Sequence, residues 1–183
     1  MIILSTSGKR LLEIPGSLKG SDVRNAELPS ARLDGLDLDG ADLSGANLIS
    51  ASLNDATATG ARFTRAILEG AHLMGANLDG ADLDSADLYW VMAQGATFRS
   101  ARLVGADLRG ADLKGVDFSG ADLSGADLSF DKLGGRTELQ DADLTSAILV
   151  KTRFRGARYS ERTRFPQGFD AVKAGMVLVH SAA

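Results

Sequence analysis

Catalysis or metal binding in this 183-residue chain would have to begin with two histidines, 24 carboxylates and one tryptophan, because it contains no cysteine. That absence removes disulfide frameworks, thiolate metal sites and cysteine nucleophiles together. His72 and His180 lie far apart, and neither carries a Ser/His/Asp or metal-ligand spacing around it. The 19 aspartates invite comparison with glycosidase pairs or calcium sites. Asp87, Asp107 and Asp127 recur at intervals of twenty. If such positions stacked about 5 Å apart, the carboxylates would raise one another's pKa and attract a cation. A calcium loop clusters its ligands, however, rather than spacing them as a regular ladder. The favoured reading is that outward aspartates bond the backbone near turns and keep the surface soluble. Gly-x-x-x-x-Gly occurs without a following Gly-Lys-Ser/Thr, so no phosphate loop is indicated. No catalytic residue, metal site or cofactor is expected.

The elements that hold these side chains follow from composition. Ala, Leu, Gly and Asp number 27, 26, 21 and 19, about half the chain, and the excess has one source. From Val23 to Leu133 every fifth residue is apolar, at 23 consecutive positions, 17 of them Leu. Two residues earlier lies a small position, Ala in 18 of 23 cases, and Gly is the commonest residue two positions later. The unit reads Ala-(Asp/Asn)-Leu-x-Gly, as in Ala41-Asp42-Leu43-Ser44-Gly45. A helix would spiral leucines five apart over every face, and a straight strand would alternate them between faces. A unit that points Leu and Ala inward and then turns a corner satisfies the period, and its repetition winds a solenoid. Between Leu133 and Leu139 the spacing is six, which predicts a one-residue insertion and an irregular corner near 130–137. Asp131 falls there in an inward slot, where an unpaired carboxylate is costly.

These repeats resemble those of the pentapeptide repeat family over about residues 21–160. The resemblance implies an all-β fold, a right-handed quadrilateral parallel β-helix with four repeats per coil and about seven coils. Residues twenty apart would then stack, placing Phe98 over Phe118. Residues 1–20 are expected to cap one end and 161–183 the other, with Phe165 and Phe169 plugging the last coil and a short C-terminal helix near 170–174. The alternative reading of the same tail is a dimer surface, leaving a monomer or a C-terminal homodimer. No apolar run reaches the length of a membrane span, and Met1–Leu4 is too short for a signal core, so a cytoplasmic location without membrane contact is expected.

Function is left to departures from the repeat. Tyr89 and Trp90 face outward, Trp90 in a corner slot usually given to Gly; with Ile49, Ile67, Met74 and Met92 they form a candidate apolar patch for a protein partner. The competing reading is that Trp90 folds over Gly70 and Gly110 and shields backbone. Residues 31–90 carry 3 basic and 10 acidic groups, whereas 136–183 carry 8 and 5. A basic end can attract nucleic acid, but this one is short and partly offset, so direct nucleic-acid binding is not expected. The expected function is a non-enzymatic scaffold for protein–protein interaction. The alternative, implied by the family resemblance, is a DNA mimic that binds gyrase, with Asp82, Asp84, Asp87, Asp107 and Asp127 as the candidate acidic surface.

Overall fold

The computed structural model describes residues 1–180, so residues 181–183 of the expected C-terminal cap lie outside the described residues. Each repeat runs as a short extended segment followed by a turn. The central residue's carbonyl accepts from the N–H three residues on, as in Leu43 to Ala46 at 3.0 Å. The third residue of each turn has positive φ, for example 68° at Gly45 and 54° at Ser50, as type II turns require. This is why Gly dominates the slot, with Asn, Asp and Ser as the usual substitutes.

Coils are joined by parallel bridges at a register of twenty: Asp22 to Asp42, Asp42 to Arg62, and Arg62 to Asp82 on one side, with matching columns on the other three. Four five-residue sides per coil follow directly. Leu and Ala of each repeat are buried, and Leu28 through Leu128 contribute a continuous apolar interior with almost no exposure. Phe98 and Phe118 stack with ring centres 5.2 Å apart, as expected from the twenty-residue register.

The solenoid is closed at one end by an antiparallel hairpin of β1 (Ile2–Leu4) and β2 (Arg10–Glu13). It docks on the first coil through Arg32 N to Leu4 O and Thr6 N to Ser30 O, both 2.8 Å, and buries Ile3. At the other end β3 (Arg158–Tyr159) pairs in parallel with β4 (Val177–Leu178). Phe165 and Phe169 stack at 5.0 Å and meet Tyr159 and Phe154 edge-on, so both pack against the core as expected.

Two expectations are corrected. The short helix near 170–174 is absent. Residues 171–175 form a single turn, with Ala174 N bonded to Asp170 O and Met176 N to Ala171 O, and Gly175 at φ 77° ends it. One turn cannot repay helix nucleation. The insertion is also larger than the spacing suggested. For one coil beyond Asp107–Asp127 the register is 26, from Asp112–Glu138 to Asp127–Arg153, and it returns to 20 at Glu138–Arg158 and 21 at Asp143–Arg164. Leu133 therefore leaves the core and is 79% exposed, while Thr137 takes the inward small position and donates its hydroxyl to Leu108 O at 3.1 Å.

Candidate functional site

The two departures from the repeat meet. Trp90 occupies a corner slot at φ 56°, a conformation that costs a bulky L-residue roughly 1–2 kcal/mol. Its indole projects toward the next coil, where a Cβ on Gly110 would lie 2.5 Å from Nε1; on the inserted loop a Cβ on Gly135 would lie 3.0 Å from the ring. The ring is thus held between two glycines, and the backbone-shielding expectation holds for Gly110. The same geometry recurs lower in the stack, where Asn25 leans over Gly45 and Asp55 over Gly75.

Asp131 locks the arrangement. Its Oδ2 accepts from Trp90 Nε1 at 2.6 Å and Tyr89 OH at 2.8 Å, and its Oδ1 from Leu133 N and Gly135 N at 2.8 and 2.7 Å. The buried carboxylate is thereby fully bonded. The Trp90 indole first, then Tyr89 and the two loop amides, outweigh desolvation and hold its pKa at about 2. The same carboxylate pushes the Tyr89 hydroxyl above its ordinary value. Arg109 lies 5.6 Å from the Tyr89 ring centre and completes the cluster.

Of the candidate patch, Ile49, Tyr89 and Trp90 come together. With Leu133, Ser50, Glu69 and Gly70 they line a cleft of about 290 Å³. Ile67 is bridged between Asn47 and Asp87, and Met92 between His72 and Asp112 across the corner; Met74, at the following corner, donates its N–H to nothing in the cleft but bonds Asn54 Oδ1. These three do not line it. Leu133 and Asp131 were missed as site residues because Leu133 keeps the five-residue phase. The signal that could have found them was the carboxylate in an inward slot beside Gly134-Gly135.

The aspartates bond backbone as expected. Asp82, Asp87, Asp107 and Asp127 each accept from the N–H two residues on, at 3.0–3.1 Å. They do not form a bare acidic surface. Asp82 is bridged between Arg62 and Arg102, and Asp84 pairs with Arg102 at 2.5 Å. In the column Asp87–Asp107–Asp127, Arg109 pairs with Asp107 and reaches Asp127 at 3.9 Å, and Arg153 pairs with Asp127 at 2.9 Å. Burial pushes the Asp127 pKa up, but Arg153, the Ser129 hydroxyl and the Ser129 amide hold it below its ordinary value. Among the described residues no group of three or more His, Cys, Asp or Glu is placed to hold a metal.

Comparison with known proteins agrees with this architecture. The family model described as pentapeptide repeats matches eight copies, over residues 17–55, 59–91, 94–129 and 136–158. No curated protein matches the chain. Among solved structures, a pentapeptide repeat protein from the thylakoid lumen of Arabidopsis thaliana is 37% identical over 53% of this chain and 68% of its own, with a TM-score of 0.52. HetL, a pentapeptide repeat protein involved in heterocyst differentiation regulation in Nostoc, is 21% identical over 86% of this chain and 85% of its own, TM-score 0.35. QnrB1, a plasmid-mediated fluoroquinolone resistance protein, is 16% identical over 87% and 85%, TM-score 0.42. The matched segments span most of the coils and leave out most of the inserted loop, and the chain belongs to the pentapeptide repeat family.

Proposed function

We propose that the chain is a non-catalytic scaffold whose Trp90 corner presents a rigid apolar cleft to a protein partner. The observation that carries this reading is the inserted loop. It spends six residues outside the repeat register to fix Trp90 and Tyr89 through Asp131, while projecting Leu133 into solvent beside Ile49. An exposed Leu and Trp beside a half-buried Ile, on a corner braced by Asp131, form an anchor site with little ordering entropy to lose on binding. Gyrase binding through DNA mimicry is the less favoured alternative, because arginines alternate with or pair to the aspartates it would use.

The test is a quantitative pull-down comparing wild type with Ile49→Ser plus Leu133→Asp, which leaves the Trp90–Asp131 bond in place. Loss of a partner retained by wild type is the expected outcome. Equal recovery of every partner would reject the cleft as the binding surface. Recovery of gyrase by both proteins would instead support the alternative.

A further inference from the structure

The Trp90 cleft holds a single charged side chain, Glu69, which is exposed. Among the described residues its carboxylate has no hydrogen bond and no ion pair. The cations beside the cleft belong to the neighbouring groove. There Arg109 pairs with Asp107, and Lys132 shares the walls with Asp87, Asp107 and Asp131. Glu69 is therefore an uncompensated charge in otherwise apolar and aromatic surroundings.

Its position selects the occupant. Ser50 N bonds Glu69 O at 2.9 Å and Gly70 N bonds Tyr89 O at 2.8 Å, so Ile49, Glu69 and Tyr89 hold the same outward position on three successive coils. Arg109 continues that column, with Trp90 N bonded to its carbonyl at 3.1 Å. Tyr89 divides two grooves: Arg109, 5.6 Å from its ring centre, lines the upper one, and Glu69 lines only the cleft below. At about 4.8 Å per coil, a cation seated against the lower side of the ring is within ion-pair reach of Glu69. Tyr89 OH and Trp90 Nε1 both donate to Asp131, at 2.8 and 2.6 Å, which makes the two rings more electron-rich and better cation seats. Desolvation points the same way. A partner segment that covers Ile49 and Leu133 also takes Glu69 out of water. An apolar side chain there would leave the carboxylate buried and unpaired, at a cost that a cation removes.

We propose that the cleft selects a partner protein segment carrying an arginine or lysine next to an apolar residue. The cation sits between Tyr89 and Glu69, and the apolar side chain lies against Ile49 and Leu133. At about 290 Å³ the cleft falls at the lower limit, about 300 Å³, of pockets that enclose a whole small ligand, and so suits side chains of a larger partner. An uncharged apolar segment is the competing occupant, disfavoured by Glu69. The proposal rests on the cleft being the partner-binding surface and adds what that surface recognises.

Trp90 is the only tryptophan of the chain, so its fluorescence reads the cleft directly. The probe is an aromatic-free capped peptide, Gly-Leu-Arg-Leu-Gly, beside the same peptide with citrulline, the neutral isostere of arginine. At low salt the arginine peptide is expected to change Trp90 emission saturably and to bind about fivefold more tightly than the citrulline peptide. Physiological salt should narrow the difference. Glu69→Gln should abolish the preference, whereas Glu13→Gln, equal in charge but on the N-terminal hairpin, should leave it intact. Glu69→Lys should transfer the preference to Gly-Leu-Glu-Leu-Gly, a result that loss of folding cannot imitate. Absence of arginine-peptide binding, equal binding of the citrulline peptide, or equal loss in Glu69→Gln and Glu13→Gln would each overturn the proposal. So would an arginine preference that survives Glu69→Gln or Glu69→Lys. Capture of a partner that needs Ile49 and Leu133 but ignores Glu69→Gln would reject the cationic anchor and leave the scaffold reading standing.

Discussion

At the residue scale, Trp90 is a locally unfavourable choice made favourable by its surroundings. Its φ of 56° suits Gly or Asn, yet the indole gains a bond to Asp131 and a slot over Gly110. Gly110 and Gly115 separate the two effects. Both have positive φ, 72° and 65°, but a Cβ at Gly115 meets nothing within 4 Å, while one at Gly110 meets the indole at 2.5 Å. Gly115→Ala should therefore cost only the backbone term, about 1–2 kcal/mol, and Gly110→Ala measurably more in thermal or urea unfolding. In a Trp90→Gly background the two substitutions should become equal within about 0.5 kcal/mol. A difference that persists without the indole would mean that Gly110 is constrained by something other than Trp90.

At the element scale, each five-residue unit encodes its own side of the coil, and this made most of the fold legible beforehand. The inward Leu and Ala and the turn glycines follow from spacing alone, and the Phe98–Phe118 stack from the four-repeat coil that the family resemblance implied. Leu133 was misplaced for the same reason. Its spacing from Leu128 satisfies the period, but the residues between include Asp131, which is more stable bonding Trp90 and Tyr89 than filling an inward slot. The candidate patch was half legible: Ile49, Tyr89 and Trp90 line the cleft, whereas Ile67 and Met92 sit on the flanking sides and Met74 at the following corner. If the loop is a true insertion, deleting residues 130–135 should restore a regular step, Leu128-Ser129-Arg136-Thr137-Glu138-Leu139, and the protein should still fold. Circular dichroism should retain its β signature, with melting lowered by several degrees through loss of the Asp131 bonds. An unfolded deletion variant would show that the loop is needed to build the coil rather than to brace the corner.

At the scale of the whole molecule, charge and end-capping are joined. Two of the four outward columns finish in arginine and a third carries one just before its last step to Val177; each arginine pairs with the carboxylate one coil below: Arg153 with Asp127 at 2.9 Å, Arg158 with Glu138 at 3.1 Å, and Arg164 with Asp143 at 2.6 Å. Much of the basic C-terminal charge is therefore spent on closing the stack, which removes the simplest case for nucleic-acid binding at that end. The apolar part of the closure is the cluster of Phe154, Tyr159, Phe165 and Phe169, over which β4 pairs with β3. A solenoid transmits stability between neighbouring coils, so an open end is felt beyond the residues removed. Truncation before Arg162 removes Phe165, Phe169 and the Arg164 pair, leaving Phe154 and Tyr159 without their covers. The expected result is a lower melting temperature together with self-association in sizing chromatography, because the exposed core and unpaired β3 edge offer a template for another chain. A truncated chain that melts like the full one and runs as a smaller, well-behaved species would assign the tail to subunit contact rather than to capping.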